Sequence, residues 1–342
     1  MASHRRPKQP TRARVTVLTA TAAAAVVLSS QGASAAPAKP SKDEVKSQVD
    51  ALYEEAEQAT EKFNGAKERQ EKLEKEIGQL QDQVARGQGD LNELRSTLGS
   101  MASAQYRNGG IDPSLALLLS EDPDSYLDKA STLEHLSGKQ VEAVQKIQAK
   151  QRTLAQQRQE AAGKLADLDA TRKELGEKKK VSQDKLAEAQ ALLNTLTSQE
   201  RAALKDEESR ASRSESQRVD LGNVSASGRA GAALAAAKTK LGGAYVSGAT
   251  GPSAFDCSGL TQWAYKQAGV SITRTTYTQA NDGTRISRSQ LQPGDLVFFY
   301  GDLHHVGLYA GNNMTLHASN PRGGIKYESM DNMPFQFGVR VS

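Results

Sequence analysis

The chain has 342 residues, with 44 basic against 40 acidic for a formal net charge of +4, and it holds a single cysteine, Cys257. A lone thiol closes no intramolecular disulfide, and the count excludes a metal site built from clustered cysteines. The first 35 residues carry five of the basic residues and no acidic one, so the remainder is 39 basic against 40 acidic and the positive total gives no reason to expect nucleic-acid binding.

Arg5, Arg6, Lys8, Arg12 and Arg14 form a basic head, followed by an apolar run from Val15 to Leu28 and the small-residue triplet Ala33-Ser34-Ala35. That order describes a secretory signal peptide, residues 1–35, cut before Ala36. The apolar run of about 14 residues is shorter than the roughly 20 that span a bilayer, which argues against an uncleaved anchor.

Residues 44 to 106 carry a heptad. Apolar residues recur at alternating steps of four and three, from Val45, Val49, Leu52, Ala56 and Ala59 through Ile77 and Leu80 to Leu91, Leu94, Leu98 and Met101. Only Gln70 and Gly87 interrupt the seam, and the residues between are Glu, Lys, Gln and Arg. A 3.5-residue period keeps one seam facing a partner helix, so the pattern predicts a coiled coil. A weaker seam runs from about 139 to 208, through Val144, Ile147, Leu154, Leu168, Ala189 and Leu196. Asn108-Gly109-Gly110 breaks the first helix, and Leu115–Leu119 with Tyr126 suggests a short helical tip. The expectation over 36–211 is an antiparallel coiled-coil hairpin. Serine, glycine and charge dominate 212–229, which reads as a flexible linker.

Residues 230–342 differ in composition and predict a second domain. Ala230–Leu241 and Cys257–Gln267 read as helices. Leu296–Tyr300, Val306–Ala310, Met314–Ala318, Gly324–Ser329 and Phe335–Val341 read as strands. Helices followed by antiparallel strands indicate an α+β class. Cys257 falls in the first turn of its helix, where unpaired N–H groups and the helix dipole favour a thiolate and so a lowered pKa. Alternation along the strands puts Val306, Leu308 and Ala310 toward a core with Met314, Leu316 and Ala318. His305 and His317 then share the opposite face. In this reading His305 takes the proton of Cys257, His317 fixes the tautomer of His305, and backbone N–H groups at Cys257 or Ser258 receive an oxyanion. No HExxH-type spacing supports a metal site, and no cofactor is expected.

The runs FDCSGLTQWAY, RTTYTQ, LQPGDLVFF, HVGLYAGNN and LHA resemble the NlpC/p60 family of cell-wall endopeptidases over about residues 230–342. The resemblance implies a papain-like catalytic domain that hydrolyses peptidoglycan stem peptides next to D-glutamate. It places Cys257 as nucleophile, His305 as base and His317 as the third polar residue. It also implies substrate contacts at Tyr245, Asp256, Ser258, Arg274 and Gln279. Family members often read YVWGG where this chain has YVSGA, so the rim at Ser247 and Ala249 is expected to differ. The N-terminal half is similar to coiled-coil regions of secreted actinobacterial wall hydrolases, which implies a secreted, wall-located protein. Such regions restrain the catalytic domain or dock on a membrane division complex. The competing expectation is a wall-binding adaptor that recruits other enzymes without cutting.

Overall fold

The computed structural model describes residues 40–107, 115, 119, 123–218 and 228–341. Helix α1 spans Lys42–Arg107 and α2 spans Pro123–Thr195. Ser41 caps α1 by accepting the Glu44 N–H at 3.2 Å, and Asp43 and Glu44 lie at the positive end of its dipole. The two helices form an antiparallel hairpin, as their cross-contacts descend in register: Lys150–Asp90, Lys164–Glu76, Arg172–Glu74, Lys185–Glu55. Its seam follows the heptad, with Val45, Val49, Leu52, Ala56, Ala59, Ala66, Ile77, Leu80 and Leu91 buried on α1 and Leu154, Leu168 and Ala189 on α2. The break at Gly87 has a packing reason, because a Cβ there would come within 2.8 Å of Leu154 Cδ2. The tip expected at 108–126 lies largely outside the described residues.

After α2 the chain turns at Thr197, whose backbone N–H and hydroxyl both donate to Glu200 while its hydroxyl accepts the Glu200 N–H, a reciprocal cap. Helix α3, Ser198–Arg218, folds back and packs Leu204 against Val45, Val49 and Leu52. It therefore extends into the stretch read as linker.

The C-terminal domain follows: helix α4 (Gly228–Lys238), the short strands β1 (Ala244–Tyr245) and β2 (Ala254–Phe255), helices α5 (Cys257–Gln267) and α6 (Thr276–Gln279), then strands β3 (Thr284–Ile286), β4 (Leu296–Phe299), β5 (His305–Gly311), β6 (Met314–Ala318), β7 (Ile325–Ser329) and β8 (Phe335–Arg340). Six strands form an antiparallel sheet in the order β3-β8-β4-β5-β6-β7. This is an α+β protein. α4 and α5 cover one face of the sheet, where Leu234, Leu260, Ala264 and Tyr265 meet Val306, Leu308, Ala310, Met314, Leu316 and Ala318. Burying each large apolar side chain there contributes on the order of 1.5–3 kcal/mol. Strand β3 was not legible, being three residues long and mostly exposed.

From Ser41 onward hairpin and sheet domain form one unit. Among the described residues no helix is long and apolar enough to cross a membrane.

Candidate active site

Cys257 is the first residue of α5, and Asp256 caps the helix through its Oδ1, which accepts the Gly259 N–H at 2.7 Å. The packing of α5 on β5 and β6 turns this helix end toward the histidines. His305 begins β5 and His317 lies on β6, with His305 Nε2 2.6 Å from His317 Nδ1. Gly307 makes this approach possible, since a Cβ there would lie 2.3 Å from Thr315 Oγ1 and 3.1 Å from His317 Cβ. Behind His317, Glu328 Oε2 accepts from Nε2 at 3.1 Å and from Lys326 Nζ at 2.9 Å. The adjacent His304 is engaged elsewhere: its Nδ1 meets Asp302 and its ring stacks on Tyr300.

Beside the thiol lies a carboxylate-binding cradle. Arg274 Nη2 donates to Asp256 at 2.6 Å, and its Nη1 donates to Ser258 Oγ at 2.7 Å. Thr276, at the start of α6, offers its backbone N–H and hydroxyl. The occupant is Glu61 of helix α1. Its Oε1 accepts from Ser258 Oγ at 2.6 Å, and its Oε2 accepts from Thr276 N at 2.8 Å and Thr276 Oγ1 at 3.0 Å. Oε1 is 4.0 Å from Cys257 Sγ.

Glu61 is one of a set. Glu57, Thr60, Glu61 and Asn64, spaced i, i+3, i+4 and i+7, form one helix face. All four are buried, although the heptad leaves them off the hairpin seam. Glu57 Oε1 accepts from His305 Nδ1 at 2.7 Å, and Asn64 donates to Asp256 Oδ2 at 3.0 Å. Thr60 hydrogen-bonds Ser247 on the rim of the cleft. Arg322 of the sheet domain ties down both Asp50 of α1, at 2.6 Å, and Glu208 of α3. Helix α1 thus fills the cleft over Cys257. A cavity of about 220 Å³ remains beside it, bordered by Tyr53, Tyr245, His305, His317 and Arg322.

The electrostatics follow from this closure. Burial pushes the Cys257 thiol well up, and the charges of Glu57, Glu61 and Asp256 push it further. The lowered thiol pKa expected from the helix terminus is therefore not found in the closed form: burial, with three carboxylates added to it, outweighs the dipole. Burial and Asp256 raise Glu61 to about 7 against the opposing pull of Ser258 and Arg274. Burial alone would lower His305, but the Glu57 carboxylate raises it. Burial lowers His317 to about 4, so it is neutral at neutral pH. The donor atoms of Glu57, Cys257 and His305 lie within 4.8 Å of one another, a set whose chemistry suits zinc. In the closed form a hydrogen bond already links two of these donors.

The family model described as the NlpC/P60 family matches residues 242–339. The C-terminal domain belongs to the NlpC/P60 family. A probable endopeptidase of Corynebacterium glutamicum is 52% identical over 105 residues, covering 31% of this chain and 50% of that protein. The probable endopeptidase p60 of Listeria monocytogenes is 46% identical over 99 residues, 28% of this chain and 20% of its own length. The chain thus spans half or less of these relatives. Among solved structures, the NlpC/p60 domain of the peptidoglycan hydrolase SagA is 36% identical, with 33% of this chain and 98% of that chain covered and a TM-score of 0.32.

Within the NlpC/P60 domain the expected residues fall into two groups. Cys257, His305, His317, Ser258, Arg274 and Tyr245 border one cleft. Asp256 and Gln279 serve the scaffold. The Asp256 carboxylate is consumed by the helix cap, the Gly248 N–H, Arg274 and Asn64. Gln279 was expected at the cleft border, but it is fully buried behind it. Its amide donates to Ser258 O and Thr273 O, and its carbonyl accepts from Thr261 Oγ1. An amide with three internal partners at 2.7–3.0 Å has little left to offer a ligand. Sequence reasoning missed Glu57, Glu61, Thr276 and Glu328.

Proposed function

We propose that the chain is a secreted cysteine endopeptidase that cleaves peptidoglycan stem peptides and that its own helix α1 holds closed. Cys257 Sγ attacks the scissile carbonyl while His305 takes its proton. The amine leaves with that proton as a thioester forms, and water, activated by His305, then releases the acid and restores the thiol. His317 holds His305 in place.

The observation that carries this reading is the carboxylate of Glu61 in a cradle of Ser258 and Thr276 donors, 4.0 Å from the nucleophile. A pocket that accepts a carboxylate at that distance fits a substrate with a free carboxylate beside the scissile bond, as a D-glutamyl residue linked through its γ-carboxyl has. The same contacts support restraint, because Glu57 takes the base and Glu61 takes the pocket. An adaptor would gain nothing from a helix aimed at Cys257 and His305.

The test is digestion of purified peptidoglycan with products identified by mass spectrometry, using Glu57→Ala/Glu61→Ala with and without Cys257→Ala. New amine and carboxyl ends at one stem-peptide bond, abolished by Cys257→Ala, are expected. Intact peptidoglycan with all forms folded would leave the adaptor.

A further inference from the structure

Two neutral imidazoles joined nitrogen to nitrogen share one proton, and the pair alone does not decide which ring donates. His305 Nε2 and His317 Nδ1 lie 2.6 Å apart and become such a pair once His305 is released from Glu57 and is neutral. The choice matters for catalysis. If His305 carries its proton on Nε2, its Nδ1 is bare and can accept the thiol proton. If His317 is the donor, a neutral His305 carries its proton on Nδ1 and is useless as a base.

We propose that Glu328 is a positioning residue that makes this choice, extending the line Cys257–His305–His317 by a fourth member. The β6–β7 ladder pairs Thr315 with Glu328 and His317 with Lys326. Strand alternation puts His317, Lys326 and Glu328 on one face, with His317 and Glu328 on a diagonal that a long side chain spans. Glu328 Oε2 lies 3.1 Å from His317 Nε2. Lys326 Nζ at 2.9 Å and Asn332 Nδ2 at 3.3 Å also donate to this carboxylate and fix its direction. Burial opposes the charge, but His317 and Lys326 hold Glu328 well below the usual carboxylate range, so it is anionic and only accepts.

An obligate acceptor at Nε2 requires the His317 proton there. Neutral His317 has no second proton, so its Nδ1 is bare and accepts from His305 Nε2–H. The remaining nitrogen of His305, Nδ1, is the one that Glu57 occupies in the closed form. Once α1 leaves, that nitrogen is the free base. The charges around the line are Glu57 and Glu61 from α1, Asp256 at the head of α5, Arg322 and Lys326 from the sheet domain, and Glu328 itself.

The inference rests on reading His305 as the base of Cys257, but its test needs no substrate. The full chain carrying Glu57→Ala/Glu61→Ala, which frees His305 Nδ1 from its carboxylate, is labelled with 15N at its histidines and examined by long-range 15N–1H correlation at neutral pH. His317 is expected to be protonated at Nε2 and bare at Nδ1. Glu328→Leu, which keeps bulk and removes the acceptor, should shift His317 toward the Nδ1–H form or a mixture. Glu328→Gln, which retains a carbonyl acceptor, should preserve the native tautomer. In that background a His317 protonated at Nδ1 with Glu328 in place, or tautomers unmoved in a folded Glu328→Leu chain, would overturn the assignment. In the Glu57→Ala/Glu61→Ala background, Glu328→Leu should lower kcat about 10- to 100-fold with KM little changed. Absence of any cleavage there would count against the proposed function, leaving the tautomer result to stand by itself.

Discussion

At the scale of single residues, the alternation of apolar and polar side chains on two strands was enough to bring His305 and His317 together. The space between them is set by Gly307. Gly307→Ala should cost about 1–3 kcal/mol, because Thr315 and His317 must both move, and should separate the imidazoles. Thermal unfolding and a lengthened His305–His317 distance in a crystal structure would check this. The thiol was misjudged for a physical reason. The helix dipole is local and readable, whereas Glu57 and Glu61 reach Cys257 from about two hundred positions earlier in the chain. Cys257 in the full chain should therefore alkylate slowly at pH 8. Glu57→Ala/Glu61→Ala should speed that reaction at least about 10-fold, as burial and two nearby negative charges are removed together. Iodoacetamide labelling followed by mass spectrometry measures it.

At the scale of elements, the hairpin was legible because a seam of Val, Leu, Ile and Ala repeats along α1. Its second face was not. Glu57, Thr60, Glu61 and Asn64 look like ordinary solvated positions, and only their shared i, i+3, i+4, i+7 spacing marks them. Their partners belong to another domain, beyond reach of any local pattern. The same helix is anchored at its base by Arg322, which is mostly buried between Asp50 and Glu208. Arg322→Ala removes the partner of Glu208 and leaves Asp50 to Lys46 alone, and should weaken docking of α1 by about 1–3 kcal/mol. Faster hydrogen exchange over residues 50–64, with the central sheet unchanged, is the expected signature.

At the scale of the whole molecule, closure binds protons. Glu61 titrates at about 7 when docked against 4.5 when solvated, and His305 is raised above 6.5. The stability that Glu61 lends to closure is fully present below pH 4.5 and lost as pH rises through about 7. That from His305 is present below pH 6.5 and lost above it. His317, lowered to about 4, works in the opposite sense, but only below pH 6.5. From pH 6.5 to 8 the direction is therefore unopposed, and the open population should grow. Small-angle scattering of the Cys257→Ala chain should show the radius of gyration increasing across that interval, and a radius constant with pH would refute the linkage.

On the proposed function, helix α1 occupies the working cleft of a cysteine peptidase. This is tested by the initial rate of peptide-bond cleavage in purified peptidoglycan by the full chain and by Glu57→Ala/Glu61→Ala at pH 6, below the pH at which docked Glu61 ionises. Removing the carboxylate contacts should favour the open form by roughly 1.5–3 kcal/mol after desolvation is repaid, so a rate increase of about 10- to 100-fold is expected. Equal rates from two folded, active chains would show that helix α1 does not restrain the cleft.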